Sequence, residues 1–382
     1  MPWTEVIPAV GDPKALPKAR LLYGVDAIAG LQEVATGSIH CVVTSPPYFA
    51  LRSYEGTEGQ VGNEDTVGEF VSRLVLVFRE LARVLRTDGT AWLNLGDTYM
   101  PRADSVAGLK VKDLANVPYR VAEALQRDGW YLRAACPWIK RSTFPESCTD
   151  RPSTGVETVF LLAHPKSGGQ YFYDIYGSRK PLSAGDAGAT RQRRCADWFF
   201  ESIEHLHGLL HSEEGDPLAV IANPVGYKGG HPAVFPPSLV KPLILSSTSA
   251  YGACSTCGAQ WERDIDLVPM ASTAKSSKHE GDPHWQQLQP TGRMGAFKGG
   301  SSKTKGWKPT CTCGAPVKRP VVLDLFCGSG TTGAVATQMG RDFVGIDLND
   351  AYLSQAVARI RGDEAPAAQS GGEDGDVLGM FL

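Results

Sequence analysis

Residues 323–333 read Leu-Asp-Leu-Phe-Cys-Gly-Ser-Gly-Thr-Thr-Gly, and this stretch decides the fold class. The apolar run 321–326 predicts a strand in front of the glycines, and a helix is predicted to begin at Thr331. The glycines match the G-x-G-x-x-G pattern of nucleotide-binding turns in this context: Gly328, Gly330 and Gly333. Asp347 follows the next predicted strand, where a carboxylate can accept hydrogen bonds from both ribose hydroxyls. The sequence therefore predicts a nucleotide-type cofactor at this turn.

The nature of that cofactor depends on the residues before the glycines. Asp324 lies two residues before the aromatic Phe326. A carboxylate is unfavourable beside the pyrophosphate of a nicotinamide cofactor, whereas it suits the cationic methionine end of S-adenosylmethionine. The sequence therefore favours S-adenosylmethionine. A nicotinamide-dependent oxidoreductase and a glycine-rich turn without any ligand are the alternatives.

Outward from this turn, strand patterns alternate with amphipathic helix patterns. Short apolar runs predict strands over residues 38–44, 90–95, 130–138, 156–162 and 343–346. Helical spacing of apolar residues predicts helices over residues 70–85, 118–126, 331–339 and 351–360, the first of them ended by Asp88-Gly89. Such alternation is typical of βαβ units, so we expect an α/β fold with a mostly parallel sheet.

A second motif, Thr44-Ser45-Pro46-Pro47-Tyr48, follows the predicted strand 38–44. The carboxyl ends of parallel strands line the crevice in which α/β folds bind ligands. The prolines lack N–H donors and stiffen the turn, so the Ser45 hydroxyl and the Pro46 carbonyl are available to accept the two hydrogens of an amine. These bonds free the nitrogen lone pair for attack on a methyl sulfonium, and Tyr48 offers a flat face to a base. Taken alone, the Pro-Pro-Tyr letters would equally fit a proline-rich turn or a short ligand motif.

Together the two motifs resemble those of the DNA amino-methyltransferases, which methylate the exocyclic amine of cytosine or adenine. Further segments are similar to that family, although Val156 replaces its usual histidine: residues 51–99, 151–157 and 231–236. The Ser-Pro-Pro-Tyr loop precedes the glycine turn, which is the order of the family's beta class. The resemblance implies a circularly permuted Rossmann-like, S-adenosylmethionine-dependent methyltransferase fold, with a recognition region between the two motifs. The cysteine spacing described below adds a zinc-clipped insertion to this expectation.

The resemblance also implies roles for single residues. The implied catalytic loop is Ser45, Pro46, Pro47 and Tyr48. Cofactor contacts are implied for Asp26 on the adenine side, for Phe235 and Pro236 at the methionine end, and for Asp324, Phe326, Gly328, Gly330, Thr331 and Asp347 at the turn. Serine at position 45 resembles the cytosine-N4 enzymes, whereas aspartate is commoner among the adenine-N6 enzymes. We expect methyl transfer to cytosine N4 in duplex DNA after base flipping, with adenine N6 as the alternative.

Four of the nine cysteines form two close pairs, Cys254 with Cys257 and Cys311 with Cys313. Four thiolates can enclose a tetrahedral Zn²⁺ with no open position, so this spacing predicts a structural zinc site. The metal would hold the two ends of the polar segment 258–310 together. Unligated cysteines are the alternative. The other cysteines are isolated, and none is predicted to be a nucleophile.

Composition and motifs divide the chain into six segments. They are 1–182 (catalytic half), 183–230 (target recognition), 231–250 (cofactor-closing motif and helix), 251–319 (zinc-binding insertion), 320–361 (cofactor-binding half) and 362–382 (disordered acidic tail). Residues 179–195 hold five Lys or Arg against one acid, and residues 271–319 hold nine against two. The low apolar content of residues 271–319 predicts a loop-like insertion. We expect DNA contacts from residues 183–230 and 258–310.

The whole composition sets outer limits on function. The 382 residues are 42% hydrophobic and 21% charged, the balance of a globular protein. A net charge of −3 argues against a uniformly basic DNA-coating protein, but a catalytically inactive DNA-binding module that keeps its zinc is a further alternative. No apolar run reaches the length of a membrane span, and the amino terminus has no secretory pattern, so we expect a cytoplasmic protein. The expected partner is duplex DNA, with or without a cognate restriction enzyme.

Overall fold

The structure is a computed structural model that describes residues 3–8, 16–50, 60–140, 150–151, 154–174, 177, 220–221, 236–269 and 300–363. For residues 220–221, 266–269 and 300–303 it describes the backbone alone. Four sequence predictions therefore lie wholly or partly outside the described residues: most of the segment 183–230, Phe235, residues 270–299 of the segment 258–310, and the acidic tail beyond residue 363.

Strands and helices alternate along the described part of the chain. The strands are β1 (Thr4–Val6), β2 (Ala19–Tyr23), β3 (Ile39–Thr44), β4 (Leu85–Leu95), β5 (Tyr131–Ile139), β6 (Val156–Ala163), β7 (Val220–Ile221), β8 (Ala253–Cys254), β9 (Glu262–Pro269), β10 (Gly300–Lys308), β11 (Val317–Lys318), β12 (Val321–Asp324) and β13 (Asp342–Asp347). The helices are α1 (Ala27–Gln32), α2 (Val67–Val84), α3 (Val117–Arg127), α4 (Pro237–Ser247), α5 (Thr331–Gln338) and α6 (Leu353–Arg361), with short 3-10 helices over Pro165–Ser167 and Asp350–Tyr352. None of these helices combines the length with the apolar character that crossing a membrane requires.

Nine of the strands form one sheet in the order β1-β2-β13-β12-β3-β4-β6-β5-β7. From β2 to β4 in this order the neighbours are parallel, whereas β6 runs antiparallel to both β4 and β5. The predicted α/β fold with a mostly parallel sheet is confirmed. β12 comes from near the end of the chain, yet it lies at the centre of the sheet between β13 and β3. Two distant parts of the sequence therefore meet in neighbouring strands.

Helices cover both faces of the sheet, and β3 supplies side chains to both. All six residues of β3 are buried. Val42 belongs to the core that also contains residues of α1, α2 and α3. Cys41 and Val43 belong to the opposite core, which contains residues of α4, α5 and α6. Because alternate side chains of a strand point to opposite faces, a strand covered on both faces is apolar along most of its length.

The boundary between α2 and β4 differs from the sequence prediction. The sequence predicts a helix to residue 85, ended by Asp88-Gly89, and a strand from residue 90. The helix α2 does end at Val84, but β4 begins at once, at Leu85. The pair lies inside β4, at an irregularity where residues 86–89 face the single residue His40 of β3. Arg86 donates to both oxygens of the Asp88 carboxylate, at 2.7 and 2.9 Å. In a sequence, a turn-forming pair inside such a bulge looks like a helix stop.

The polar segment 271–319 also differs from the predicted loop. β10 pairs with β9 as an antiparallel ribbon, and the short β11 pairs with β8. A ribbon of this kind satisfies its backbone groups by cross-strand hydrogen bonds and does not depend on apolar alternation. At one end of the ribbon, Trp307 stacks on Tyr251 with centroids 5.8 Å apart, and the Arg263 guanidinium lies 4.5 Å from the Trp307 centroid. The polar composition hides these strands from a sequence analysis.

Candidate active site at the carboxyl ends of the central strands

The Ser-Pro-Pro-Tyr loop and the glycine turn leave neighbouring parallel strands, β3 and β12, at the same edge of the sheet. Thr44, the last residue of β3, donates from its hydroxyl to Asp324 Oδ1 at 2.8 Å. Thr332, in α5, donates to the other oxygen, Oδ2, at 2.7 Å. Asp324 therefore fastens the start of the Ser-Pro-Pro-Tyr loop to the glycine turn and to the helix that follows it.

The Asp324 carboxyl is buried, with 2% of the residue exposed, and this burial raises its pKa to about 6. Hydrogen bonds from Thr332, from Thr44 and from the backbone N–H of Phe326 oppose the shift. The sequence predicts a carboxylate that faces a cationic cofactor. In the structure, both oxygens already accept hydrogen bonds from the protein, so Asp324 is also an internal anchor of the site.

Asp347 lies at the end of β13, beside the glycine turn. Its Oδ2 accepts a hydrogen bond from the Gly328 N–H at 2.6 Å, and its Oδ1 accepts one from the Asn349 N–H at 2.9 Å. Burial raises the pKa of Asp347 to about 6. The carboxylate predicted to bind ribose hydroxyls thus also shapes the turn itself.

The glycine turn requires glycine for conformation and for close packing. Gly328 and Gly330 have φ angles of 49° and 79°. A Cβ at Gly330 would lie 2.9 Å from Cα of Ala356 in α6, which leaves no room for a side chain. Tyr23 Oη donates to the Gly328 carbonyl at 2.7 Å, and burial raises the pKa of Tyr23 well above its ordinary value. Burial likewise raises the pKa of Cys327, in keeping with the prediction that it is no nucleophile.

The other predicted cofactor contacts lie around the same edge. Asp26 accepts from two backbone N–H groups of α1, at 2.9 and 3.1 Å, and so caps that helix. Thr331 begins α5, and its hydroxyl accepts a hydrogen bond from Arg359 at 2.7 Å. Phe326 is half-buried against the core that contains α2, and the buried Pro236 directly precedes α4. These contacts within the protein fix the positions of the four predicted residues around the turn.

A cluster of polar side chains connects Ser45 to β4, β5 and β6. Tyr48 Oη donates to Glu157 Oε2 at 2.5 Å, and Asn94 Nδ2 donates to the same oxygen at 2.8 Å and to Tyr48 Oη at 2.7 Å. Lys140 forms an ion pair with the other carboxylate oxygen, Oε1. Ser45 Oγ lies 3.4 Å from both Tyr48 Oη and Asn94 Nδ2, so it retains capacity for a closer partner. We call these five residues the loop cluster.

Three members of the loop cluster are absent from the predicted site residues: Asn94, Lys140 and Glu157. Asn94 and Glu157 lie in segments that resemble the amino-methyltransferase motifs, so a signal for them was present in the sequence. Lys140 follows β5, and only the pairing of β5 with β6 brings it to Glu157. Gly96 also escapes prediction, although a Cβ there would lie 2.5 Å from Cε2 of Tyr48. This glycine leaves room for the tyrosine ring.

Asn94 also contributes a buried acceptor that no described residue satisfies. Its Oδ1 has no hydrogen-bond partner, whereas its Nδ2 serves the loop cluster. The residue lines a small cavity together with Thr44, Trp92 and Leu239. Buried polar atoms are rarely left unpaired, so this oxygen fits a site that receives a donor from a ligand or from water.

The four paired cysteines come together as the sequence predicts. The sulfur atoms of Cys254, Cys257, Cys311 and Cys313 lie within 4.8 Å of one another. In the described ranges, no other group of three or more His, Cys, Asp or Glu side chains has this arrangement. Hydrogen bonding with the Cys257 thiol raises the pKa of Cys313 to about 12, so a cation is needed before all four sulfurs can be thiolates. The set fits a tetrahedral ion such as Zn²⁺.

This cysteine cluster lies at the amino ends of the central strands, at the opposite edge from the glycine turn. Arg86, in β4, donates to the Cys257 carbonyl at 2.5 Å. His40, in β3, accepts from the Val321 N–H at 3.0 Å through Nδ1 and bonds the Gly258 carbonyl at 3.1 Å through Nε2. Burial lowers the pKa of His40 to about 3, so the ring is neutral and Nε2 carries its one proton. The cluster is thus joined to β3, β4 and β12.

The chain is similar to known proteins in both sequence and fold. A family model described as DNA methylase matches residues 39–253 and 317–358. The chain belongs to the DNA methylase family. A relative of this methylase is the type II methyltransferase M.XycI of Xanthomonas campestris pv. cyanopsidis, which is 32% identical over 363 residues, 90% of this chain and 88% of the relative. M.Cfr9I of Citrobacter freundii is 32% identical over 372 residues, 92% of this chain and 91% of the relative.

The methylase also shares its fold with a solved structure. PvuII DNA methyltransferase (cytosine-N4-specific) aligns with a TM-score of 0.51, over 89% of this chain and 86% of that one, at 17% identity. The resemblance to the DNA amino-methyltransferases is confirmed by the family match, which favours a methyltransferase over a nicotinamide-dependent oxidoreductase. The matched residues omit 254–316, so the segment bounded by the two cysteine pairs is not part of the family model.

The two buried carboxyls predict a pH dependence of stability. Their native pKa of about 6 exceeds the ordinary value of 3.8, so their stabilising contribution is complete below pH 3.8 and is lost as the pH rises through 6. Between about pH 4.5 and 7, we expect the free energy of unfolding of Asp324→Asn to fall by about 2 kcal/mol less than that of the wild type. Urea unfolding across this range measures the difference, with the exposed Asp65→Asn as the matched control. Parallel curves for Asp324→Asn and the wild type would contradict the raised pKa.

Proposed function

We propose that this methylase transfers a methyl group from S-adenosylmethionine to the N4 amine of cytosine in duplex DNA. The observation that carries the proposal is the 2.8 Å hydrogen bond from Thr44 to Asp324, which holds the Ser-Pro-Pro-Tyr loop beside the glycine turn. The loop offers a pair of acceptors for a planar amine, and the turn is of the type that binds a nucleotide cofactor. Both therefore lie at the same edge of the sheet. Membership of the DNA methylase family supports the same class of reaction.

The residues at the glycine turn fit S-adenosylmethionine, which supplies a methyl group on a positively charged sulfur. Gly328 and Gly330 present backbone rather than side chains, so a ligand can approach the turn closely. In the proposal, Asp347 binds the ribose and Asp26 lies on the adenine side. Phe235 and Pro236 close over the methionine end. Asp324, Phe326 and Thr331 complete the site from β12 and α5.

The Ser-Pro-Pro-Tyr loop is proposed to bind the target amine. Ser45 Oγ and the Pro46 carbonyl accept its two hydrogens, and neither Pro46 nor Pro47 has an N–H that competes for these acceptors. The Tyr48 ring, for which Gly96 leaves room, stacks on the base. With both hydrogens held, the nitrogen lone pair is directed for an in-line attack, and catalysis is mainly positioning. The amine lies within the duplex stack, so the base is first flipped into the pocket.

The choice of cytosine rests on Ser45, since serine at this position resembles the cytosine-N4 enzymes. The name of PvuII DNA methyltransferase, which states cytosine-N4 specificity, supports the same choice. Adenine N6 is the alternative, because both amines are planar exocyclic groups that one pair of acceptors can bind.

The topology supports a circularly permuted Rossmann-like fold. In an unpermuted fold, the strand before the cofactor glycines comes first in the chain. Here that strand is β12, which lies centrally between β13 and β3 although nearly the whole chain precedes it. Residues 1–182 and 320–361 are then two halves of one methyltransferase domain, with residues 231–250 closing over the cofactor.

DNA is proposed to contact the segments 183–230 and 258–310, which overlap the basic stretches at residues 179–195 and 271–319. β7 attaches the first segment to the edge of the sheet beside β5, and the β9–β10 ribbon holds the ends of the second. The relatives M.XycI and M.Cfr9I are named type II methyltransferases, which supports modification of one DNA site and a cognate restriction enzyme as partner.

The cysteine cluster is proposed to hold a structural Zn²⁺. Four sulfur ligands leave no open coordination position, so the ion would stabilise the fold without taking part in methyl transfer. The cysteines bound a segment that the family model omits, which supports a zinc-clipped insertion at residues 251–319. Through Arg86 and His40, the ion would hold this insertion to the amino ends of three strands.

Mass spectrometry of nucleosides tests the proposed reaction. The chain is expressed in a methylation-deficient host, and the host DNA is digested and compared with DNA from the same host carrying an empty vector. We expect N4-methylcytosine in the first sample alone. N6-methyladenine would keep the reaction class but contradict the choice of base from Ser45. The absence of both marks from DNA and from purified reactions would contradict the proposed function.

Substitution of Ser45 tests the role of its hydroxyl. We expect Ser45→Ala to lower the turnover number by about 100-fold, because one acceptor for the target amine is lost, while the Kd for S-adenosylmethionine changes by less than about threefold. Steady-state kinetics and titration calorimetry measure the two quantities. Ser72→Ala, on the exposed face of α2, is the control. Equal losses of turnover and of cofactor affinity would contradict a role in catalysis.

Elemental analysis tests the structural zinc. We expect about one Zn²⁺ per chain, lost in Cys311→Ser and retained in the control Cys136→Ser, whose cysteine lies in β5 far along the chain from both pairs. Chelation is expected to lower the melting temperature, since metal binding is coupled to the native fold. A purified wild type that is free of metal and insensitive to added Zn²⁺ would rule out the site.

A further inference from the structure

The loop cluster contains a chain of hydrogen bonds that leads from Ser45 through Tyr48 to Glu157. Lys140, Tyr48 and Asn94 all donate to the carboxylate of Glu157, whose side chain is 10% exposed. Within this cluster, the Glu157 carboxylate is the group that can accept a proton. The Asn94 amide is not a base, and the Lys140 ammonium has no lone pair with which to accept a proton.

The carboxylate fixes the direction of each bond. Tyr48 has a single hydroxyl proton, and because an ionised carboxylate only accepts, this proton points at Glu157 Oε2, 2.5 Å away. The lone pairs of Tyr48 Oη are then available to Asn94 and to Ser45. The Ser45 hydroxyl proton accordingly points at Tyr48 Oη, at 3.4 Å. One lone pair of Ser45 Oγ faces Asn94 Nδ2, also at 3.4 Å, and the other is left for the target amine. The bonds run in one sense, from the amine towards Glu157.

We infer that Glu157 receives, through Ser45 and Tyr48, the proton that the target amine loses; this rests on the proposed function. The nitrogen lone pair forms the N–C bond while the C–S bond breaks and leaves its electron pair on sulfur. The positively charged nitrogen gives an N–H proton to Ser45 Oγ, Ser45 gives its own proton to Tyr48 Oη, and Tyr48 gives its proton to Glu157 Oε2. A neutral N-methylated amine and a protonated carboxyl result, and both hydroxyls are restored.

The other members of the loop cluster keep this path open. Lys140 binds Oε1 and so leaves Oε2 to Tyr48 and Asn94. The Lys140 ammonium lies 4.9 Å from the centroid of Trp138, and the Lys140 side chain is 23% exposed, so the proton can return to water beside it. The 3.4 Å gap between Ser45 and Tyr48 is the longest step, and such distances tighten when substrate is bound. Glu157 acts on the target amine through Tyr48 and Ser45 rather than by direct contact, and it is therefore a positioning residue.

Replacement of Glu157 by glutamine tests the relay, because glutamine keeps the shape but cannot take a proton. The assay is single-turnover methyl transfer to unmethylated genomic DNA from the methylation-deficient host. We expect the rate for Glu157→Gln to fall by about 10- to 100-fold, with the Kd for S-adenosylmethionine within about twofold of the wild type. Glu123→Gln makes the same chemical change at an exposed ion pair of α3 and should leave the rate unchanged. A Glu157→Gln rate within about threefold of the wild type would overturn the inference.

Two further variants separate a relay from a merely structural role. Tyr48→Phe removes the relaying hydroxyl but keeps the ring, so the double variant with Glu157→Gln should lose no more than either single variant. Formate, a small carboxylate, should partly restore the rate of Glu157→Ala and should not affect Glu157→Gln. Additive losses, or an absence of rescue by formate, would overturn the relay. If Glu157→Gln does not fold, Tyr48→Phe and formate rescue decide the question.

The wild type separates this inference from the proposed function. A wild type that methylates no DNA would overturn the proposed function, and the relay with it. A wild type that methylates DNA, together with a fully active Glu157→Gln variant, would overturn the relay alone.

Discussion

Asp324 accepts hydrogen bonds from Thr44 at the end of β3 and from Thr332 in α5, and all three residues are almost completely buried. A buried carboxylate is costly unless donors surround it, so the loop and the turn that supply these donors are held in one relative position. The partners Thr44 and Asp324 are 280 positions apart in the chain. One interaction therefore joins a candidate amine-binding loop to a candidate cofactor turn.

β3 is held to β12 at both of its ends. At the carboxyl end the tie is Thr44 with Asp324, and near the amino end it is His40 with the Val321 N–H. The neutral His40 ring also bonds the Gly258 carbonyl, next to the cysteine cluster. The proposed zinc site and the candidate active site thus lie at opposite ends of the same two strands, which lets the metal stabilise the sheet without approaching the reaction.

The other side of the active site depends on the antiparallel part of the sheet. β6 pairs with both β4 and β5, and this places Glu157 between Asn94 and Lys140. The carboxylate in turn orients Tyr48 in the Ser-Pro-Pro-Tyr loop. The loop is therefore held from β12 by the buried carboxylate of Asp324 and from β6 by the part-buried carboxylate of Glu157, and the two carboxylates fix Thr44 and Tyr48 on either side of Ser45.

The sequence by itself determined the α/β class, the candidate loop and turn, and the paired cysteines, because alternating periodicity, prolines, glycines and close cysteine spacing act locally. It placed the start of β4 five residues too late, since Asp88-Gly89 in a strand bulge looks like a helix stop, and it missed the ribbon strand β10, whose polar residues have no apolar alternation. Only the tertiary structure decided that Asp324 anchors Thr44 and that Lys140 and Asn94 surround Glu157. These contacts depend on strand order and register, which bring together side chains whose separation in the sequence carries no periodic signal.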